Sequence, residues 1–193
     1  YRDIYLALSG MEEEYLLHTG FSGEPGEEDI EKVFYAVMND HPELFFVSGY
    51  TYTKYTLADK LLKISFSGTY TMDTYERVLR EREIDRAAEE CLQALPAEAS
   101  DYEKVKYVYE YVILHTDYRK DAPDNQNICS CLLSGESVCQ GYAKTVQYLL
   151  NRAGINSVLV SGTVYGGQAH AFNLVEVNGQ CYSADATWGD PSY

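Results

Sequence analysis

The sequence predicts an α+β fold, on three observations. Apolar residues recur at helical spacing in two well-marked runs, Val105, Val108, Tyr109 and Val112, then Tyr142, Ala143, Val146, Leu149 and Leu150. Three strand-like runs follow, Ser157–Tyr165, Ala169–Val177 and Gln180–Thr187. Between the last two, Asn178-Gly179 is a two-residue hairpin signal, so these strands pair antiparallel.

Each element can be justified in chain order. Ile4–His18 has a helical pattern, broken by the Gly20–Gly26 segment. Ile30, Val33, Phe34, Val37 and Met38 repeat at helical spacing until Pro42, which lacks the donor needed to continue. Alternation at Phe46, Ser48, Tyr50 and Tyr52, and at Leu62, Ile64 and Phe66, predicts two strands. A long helix is expected from Asp73, which forms a capping box with Glu76, to Leu95, where Pro96 ends it. Ser100 and Glu103 repeat the box ahead of the Val105 run. Thr116–Asn127, rich in Asp and Asn and containing Pro123, is expected to be a surface loop. Ser137-Val138-Cys139-Gln140 looks like a third capping box, with Gly154 closing the helix it opens.

Composition narrows the partners. The 193 residues hold 30 acidic and 15 basic side chains, a net charge of −15. A nucleic acid or an anionic membrane surface would be repelled by that field. There is no run of eighteen apolar residues, so no membrane-inserted segment is expected. The chain begins at Tyr1, without a signal peptide, and residues upstream of it are expected to be missing. Five cysteines, at 91, 129, 131, 139 and 181, cannot all pair within one chain. Cys129-x-Cys131 with Cys139 does not have the usual zinc spacing, so no metal is expected, and the first two are read as lying on one short extended stretch. Gly166-Gly167 lacks the Gly-Lys-Ser/Thr of a phosphate loop and reads as a turn.

One cysteine stands apart. With Ser137 as N-cap, Cys139 is the second residue of its helix, close to unpaired N–H groups and the positive end of the dipole. A thiolate is favoured there, so a lowered thiol pKa is expected, although a cysteine in such a helix can equally be a small core residue. The hairpin adds a second group. A two-residue turn pairs residues whose numbers sum to 357, so Phe172 faces Asp185 and His170 faces Thr187. His170 and Asp185 become diagonal neighbours, roughly 7–8 Å apart at Cα, close enough for a side-chain hydrogen bond. Such a carboxylate would orient the imidazole and favour its protonated form. Their face, with Phe172 and Leu174, is otherwise apolar.

Ser137-Val138-Cys139-Gln140-Gly141-Tyr142-Ala143, then His170-Ala171-Phe172-Asn173, then Asp185-Ala186-Thr187-Trp188 resembles the transglutaminase-like superfamily in residue order and in its intervals of 31 and 15 residues. The likeness covers about Ser100–Trp188, and Asp40-His41-Pro42-Glu43-Leu44-Phe45 is similar to the N-terminal regions of bacterial members. It implies a papain-like core, with a catalytic-Cys helix on an antiparallel sheet. Residues 1–98 would form a mainly helical extension with a short strand pair, and residues 99–193 the core; the family usually has further strands after the Asp-x-Thr-Trp segment, so either the chain is cut short or its sheet is smaller than usual. It also implies Cys139 as nucleophile, His170 as general base and acid, and Asp185 as orienting carboxylate. The reaction implied is acyl transfer on a peptide or carboxamide substrate through a thioester, hydrolytic rather than cross-linking. Amine transfer to protein glutamine and a non-catalytic binding module are the alternatives. The backbone N–H of Cys139 would be one oxyanion donor, and Gln126 or Gln140 could line the site. Trp188 would be a wall of the site or, more in keeping with a lone tryptophan, plain core. No cofactor is implied, and no calcium loop is present. A peptide or protein substrate and an extracellular or cell-surface setting follow from the resemblance.

Overall fold

The computed structural model describes residues 1–18, 26–58 and 60–191. The chain forms two compact units, Tyr1–Val78 and Leu79–Tyr193. This division, made by compactness, falls ahead of the 98/99 boundary drawn from the reach of the motifs.

In the first unit, α1 spans Arg2–Gly10, β1 Tyr15–Leu17, α2 Glu27–Asp40, β2 Val47–Leu57 and β3 Lys60–Tyr70. The helix expected over Ile4–His18 is therefore cut short. Met11 turns left-handed (φ 54°), and the N–H groups of Met11 and Glu12 close back on Leu8 and Ala7. Tyr15, Leu16 and Leu17 then pair with Phe66, Ser65 and Ile64, covering an edge of β3. Three residues are too few to show a period, so the sequence pattern hides this strand. Of the Gly20–Gly26 breaker, all but Gly26 lies outside the described residues; Gly26 donates its N–H to Asp29 Oδ2 and opens α2. The two strands expected near Tyr50 and Ile64 both form and run eleven residues each, giving an antiparallel sheet of order β1-β3-β2. Phe34 of α2 lies 4.5 Å from the ring of Tyr50, which stacks on Phe66.

The helix α3 spans Thr74–Leu92 and α4 spans Asp101–His115. Both capping boxes form: Glu76 N–H donates to Asp73 Oδ1 at 2.8 Å, and Ser100 N–H donates to Glu103 Oε2 at 2.8 Å. Between α3 and Pro96, Ala94 and Leu95 bond back in tighter turns, so the helix stops short of Leu95. The stretch expected as a loop is partly tied down. Within it, β4 (Asp117–Tyr118) pairs parallel with β5 (Glu136–Ser137), and Ala122 is buried. A π-helical turn spans Ser130–Ser134, so Cys129 and Cys131 are not on an extended stretch; both are buried.

The C-terminal part holds α5 (Cys139–Arg152), β6 (Ser157–Thr163), β7 (Ala169–Val177), β8 (Gln180–Ala184) and the short α6 (Ala186–Gly189). The strands form an antiparallel sheet of order β6-β7-β8. Asn178 and Gly179 both have positive φ (53° and 74°), the geometry of a primed two-residue turn. Pairs from Val177–Gln180 to Asn173–Ala184 all obey the predicted sum. The pairing then ends, because Asp185 leaves the strand to cap α6. Tyr142, Val146, Leu149 and Leu150 of α5 are fully or almost fully buried with Val108 and Val112 of α4 and Val175 of β7. The core face of β7 carries Ala171, Asn173, Val175 and Val177. It is not the face of Phe172 and Leu174, the second of which is exposed.

Candidate active site

The start of α5 differs from the sequence expectation by one residue. Val138 is the N-cap and Cys139 the first helical residue, with no side-chain cap. Ser137 is engaged elsewhere. It is fully buried, its Oγ donates to Asn125 O at 3.1 Å, and it shares a 2.7 Å bond with Ser130 Oγ. Asn125 O also accepts the N–H of Val138 at 3.3 Å, so the turn containing Gln126 is held against the start of the helix. Gly141 permits this approach. A Cβ there would meet Ser137 Oγ, and would sit 2.7 Å from Ser130 Oγ and 2.8 Å from Asn125 O. Cys139 itself is half-buried and packs against Ala143, Leu159 and Ala171. Gln140 is half-buried and Gln126 is exposed.

The predicted imidazole–carboxylate bond is present. His170 Nε2 lies 2.6 Å from Asp185 Oδ2. A carboxylate accepts only, so the ring donates through Nε2–H, and Nδ1 is the nitrogen left for proton exchange. The other oxygen of Asp185 accepts from Trp188 N–H at 3.1 Å, which turns the chain into α6. That turn brings the indole over the imidazole, with ring centroids 4.5 Å apart and planes 15° from parallel. Trp188 remains 57% exposed, so it is not plain core: it walls one side of His170, which is only 7% exposed. Tyr109 Oη donates to Asp185 O at 3.2 Å and supports the same segment from α4.

The structure thus joins His170, Asp185 and Trp188 directly, and seats Cys139 against the buried cluster of Ala143, Leu159 and Ala171. The other thiols differ in setting. Burial pushes Cys91 up to about 11 and Cys129 up to about 12, and it raises the fully buried Cys131 as well. Cys181 is exposed opposite Glu176 on the hairpin. No group of three or more His, Cys, Asp or Glu among the described residues could hold a metal ion. Two features carried no sequence signal beyond unexpected glycines: the Ser130–Ser137–Asn125 cluster under Gly141, and the close passage of Tyr109 over Gly189.

A helix that begins at a cysteine and packs on an antiparallel sheet, with a histidine of that sheet bonded to an aspartate just past its last strand, is the α+β arrangement of papain-like and transglutaminase-like proteins. A family model described as the transglutaminase-like superfamily matches residues 90–188, and the chain belongs to that superfamily. Among solved structures it is similar to a TGase, with a TM-score of 0.49 and 15% identity over 86% of this chain and 49% of that one. It is also similar to the periplasmic domain of TgpA from Pseudomonas aeruginosa, with a TM-score of 0.41 and 18% identity over 67% of this chain and 55% of that one. A candidate cysteine protease from Cytophaga hutchinsonii matches with a TM-score of 0.43 and 12% identity, over 71% of this chain and 61% of that one. The chain spans about half the length of the TGase and less than two thirds of the other two. No curated protein matches it.

Proposed function

We propose that the protein is a cysteine-dependent acyltransferase that hydrolyses peptide or carboxamide bonds. The observation that carries this reading is the 2.6 Å bond between His170 Nε2 and Asp185 Oδ2, beside a helix that opens on Cys139. In this reading Asp185 holds the ring in the tautomer whose Nδ1 accepts the thiol proton of Cys139. The thiolate so formed, at the start of α5, attacks the substrate carbonyl. Collapse of the tetrahedral adduct breaks the C–N bond. The leaving amine takes its proton from Nδ1, and a thioester remains on Cys139. Water then attacks the thioester, giving its proton to Nδ1, and the thiol is regenerated with release of the acid.

The developing oxyanion needs donors already aimed at it. The backbone N–H of Cys139, unpaired at the start of α5, is one. Gln126 is proposed as a side-chain donor, supported by the Val138 N–H to Asn125 O bond that holds its turn at the helix start. Gln140 and the exposed face of Trp188 are proposed to contact substrate. The partner is a peptide or protein.

Intact-mass analysis after incubation with a peptide library tests the reaction. A mass increase on Cys139, absent in Cys139→Ala and strongly reduced in His170→Ala, is expected. Free acid product in the presence of a primary amine supports hydrolysis, and amide product would make the protein an amine transferase. No adduct with any peptide, together with equal iodoacetamide labelling of Cys139 and exposed Cys181, would leave a binding module.

A further inference from the structure

The turn that carries Gln126 is held on both sides by one pair of buried hydroxyls. Ser137 Oγ donates to Asn125 O at 3.1 Å, and Ser130 Oγ donates to Asn127 O at 2.7 Å. The two hydroxyls lie 2.7 Å apart and share a bond. Both serines are 0% exposed. The backbone repeats the hold: Val138 N–H donates to Asn125 O and Ser130 N–H to Asn127 O, each at 3.3 Å. The carbonyls before and after Gln126 are therefore each fixed twice, while its own side chain stays exposed.

We propose that the Ser130–Ser137 pair is the device that positions Gln126 against the start of the Cys139 helix, and that it acts on the reaction only through the oxyanion. The pair reaches the nucleophile from two directions. Ser137 lies two residues before Cys139, and Val138, whose N–H holds Asn125, is the N-cap of α5. From the helix side, Gly141 leaves the room these atoms occupy. A Cβ there would stand 2.7 Å from Ser130 Oγ and 2.8 Å from Asn125 O.

Hydroxyls are a costly way to fill buried space unless each is bonded, and here each bond selects the place of a loop carbonyl. An Asp- and Asn-rich turn has many local alternatives of its own, so an outside hold is needed to keep one of them. An oxyanion donor must stand in place before the charge develops. A misplacement of about 1 Å costs on the order of 10² in rate. Neither serine touches the thiol or the substrate in this account, so both are positioning residues.

The proposal rests on the acyl-transfer reading, and two reactions of one thiol separate them. Iodoacetamide alkylates Cys139 by displacing iodide at a saturated carbon, with no oxyanion. With p-nitrophenyl acetate the thiolate attacks the ester carbonyl and a tetrahedral oxyanion forms. Its collapse expels p-nitrophenolate and leaves an acetyl thioester. Peptide masses follow both adducts on Cys139. Ser137→Ala and Ser130→Ala should acetylate about tenfold more slowly than native, and alkylate within about twofold of it. Gln126→Ala should acetylate on the order of 10²-fold more slowly. Because the serines act through Gln126, adding Ser137→Ala to Gln126→Ala should slow acetylation no further. The proposal is overturned by native acetylation in Gln126→Ala or in both serine variants, by multiplied losses in the double variant, or by equal slowing of alkylation and acetylation. Where Ser137→Ala does not fold, Ser130→Ala and its double with Gln126→Ala decide. These outcomes leave the acyl-transfer reading standing. A native protein whose Cys139 is acetylated no faster than the exposed Cys181 overturns that reading, and the proposal with it.

Discussion

Asp185 divides its two oxygens between two tasks, and substitution can separate them. Oδ2 accepts from His170 and Oδ1 caps α6. In Asp185→Asn the amide oxygen can keep the cap while the NH₂ opposes Nε2–H, which forces the ring toward the tautomer protonated at Nδ1. Acylation of Cys139 should fall by on the order of 10⁴ with little loss of stability, as when a triad carboxylate is neutralised. Asp185→Ala should lose the cap too, at about 1 kcal/mol, visible in denaturant unfolding. An Asp185→Asn protein with native acylation rates would remove the orienting role. The three polar residues were legible because each has a local cue: a cysteine at a helix start, a histidine and an aspartate tied by hairpin register. The Trp188 stack was not, because register ends at Ala184 and the indole is delivered by a helix of four residues. The hydrogen bond from Tyr142 to Asp190 was invisible for a different reason. Its partners are 48 residues apart and share no period.

Among the elements, close approach governs what can change. A Cβ on Gly189 would collide with the ring hydroxyl of Tyr109, which itself bonds Asp185 O. Gly189→Ala should therefore destabilise by about 1–3 kcal/mol. Tyr109→Phe in the same chain should recover part of that loss, since the offending oxygen is gone. A double-mutant cycle by thermal or denaturant unfolding measures the coupling, and strict additivity would show that the two residues do not meet. The same scale shows where sequence patterns hold. Ser100 and Asp73 cap α4 and α3 as expected, because their side chains have no competing partner. Ser137 does not cap α5, because its hydroxyl is taken by Asn125 and Ser130. A capping signature thus states what a side chain can do, and tertiary neighbours decide whether it does.

For the whole molecule, titration of buried groups should leave a readable trace. Lys144 on α5 is 7% exposed, and burial pushes it down to about 8 from its ordinary 10.5. Between those values the unfolded chain holds the extra proton, so this residue makes stability rise with pH. Below about 8 the folded protein carries a charged buried lysine and that contribution is lost. The thiols of Cys91 and Cys129 act in reverse. Raised from 9.0, they keep protons that the unfolded chain has released, so stability falls as pH climbs past 9. Lys144→Met should therefore be more stable than native by on the order of a few kcal/mol near neutrality. The difference should shrink as pH approaches 10.5, the ordinary lysine value. Denaturant unfolding of both proteins over that range checks it, and a constant difference would show that Lys144 is not desolvated in the fold.

The turn at Asn178-Gly179 has a longer reach than its size implies. His170 stands eight positions before Asn178, about 26 Å of extended chain. Side chains at this distant, solvent-facing tip should be replaceable with little effect on chemistry, provided the backbone still turns. A change in chain length there is another matter. One added residue would advance β8 against β7 by a single step, and Asp185 would reach its helix from the wrong side of the sheet. The hairpin is in this sense a ruler: variants of this protein should differ freely in the letters of the turn, and hardly ever in their number.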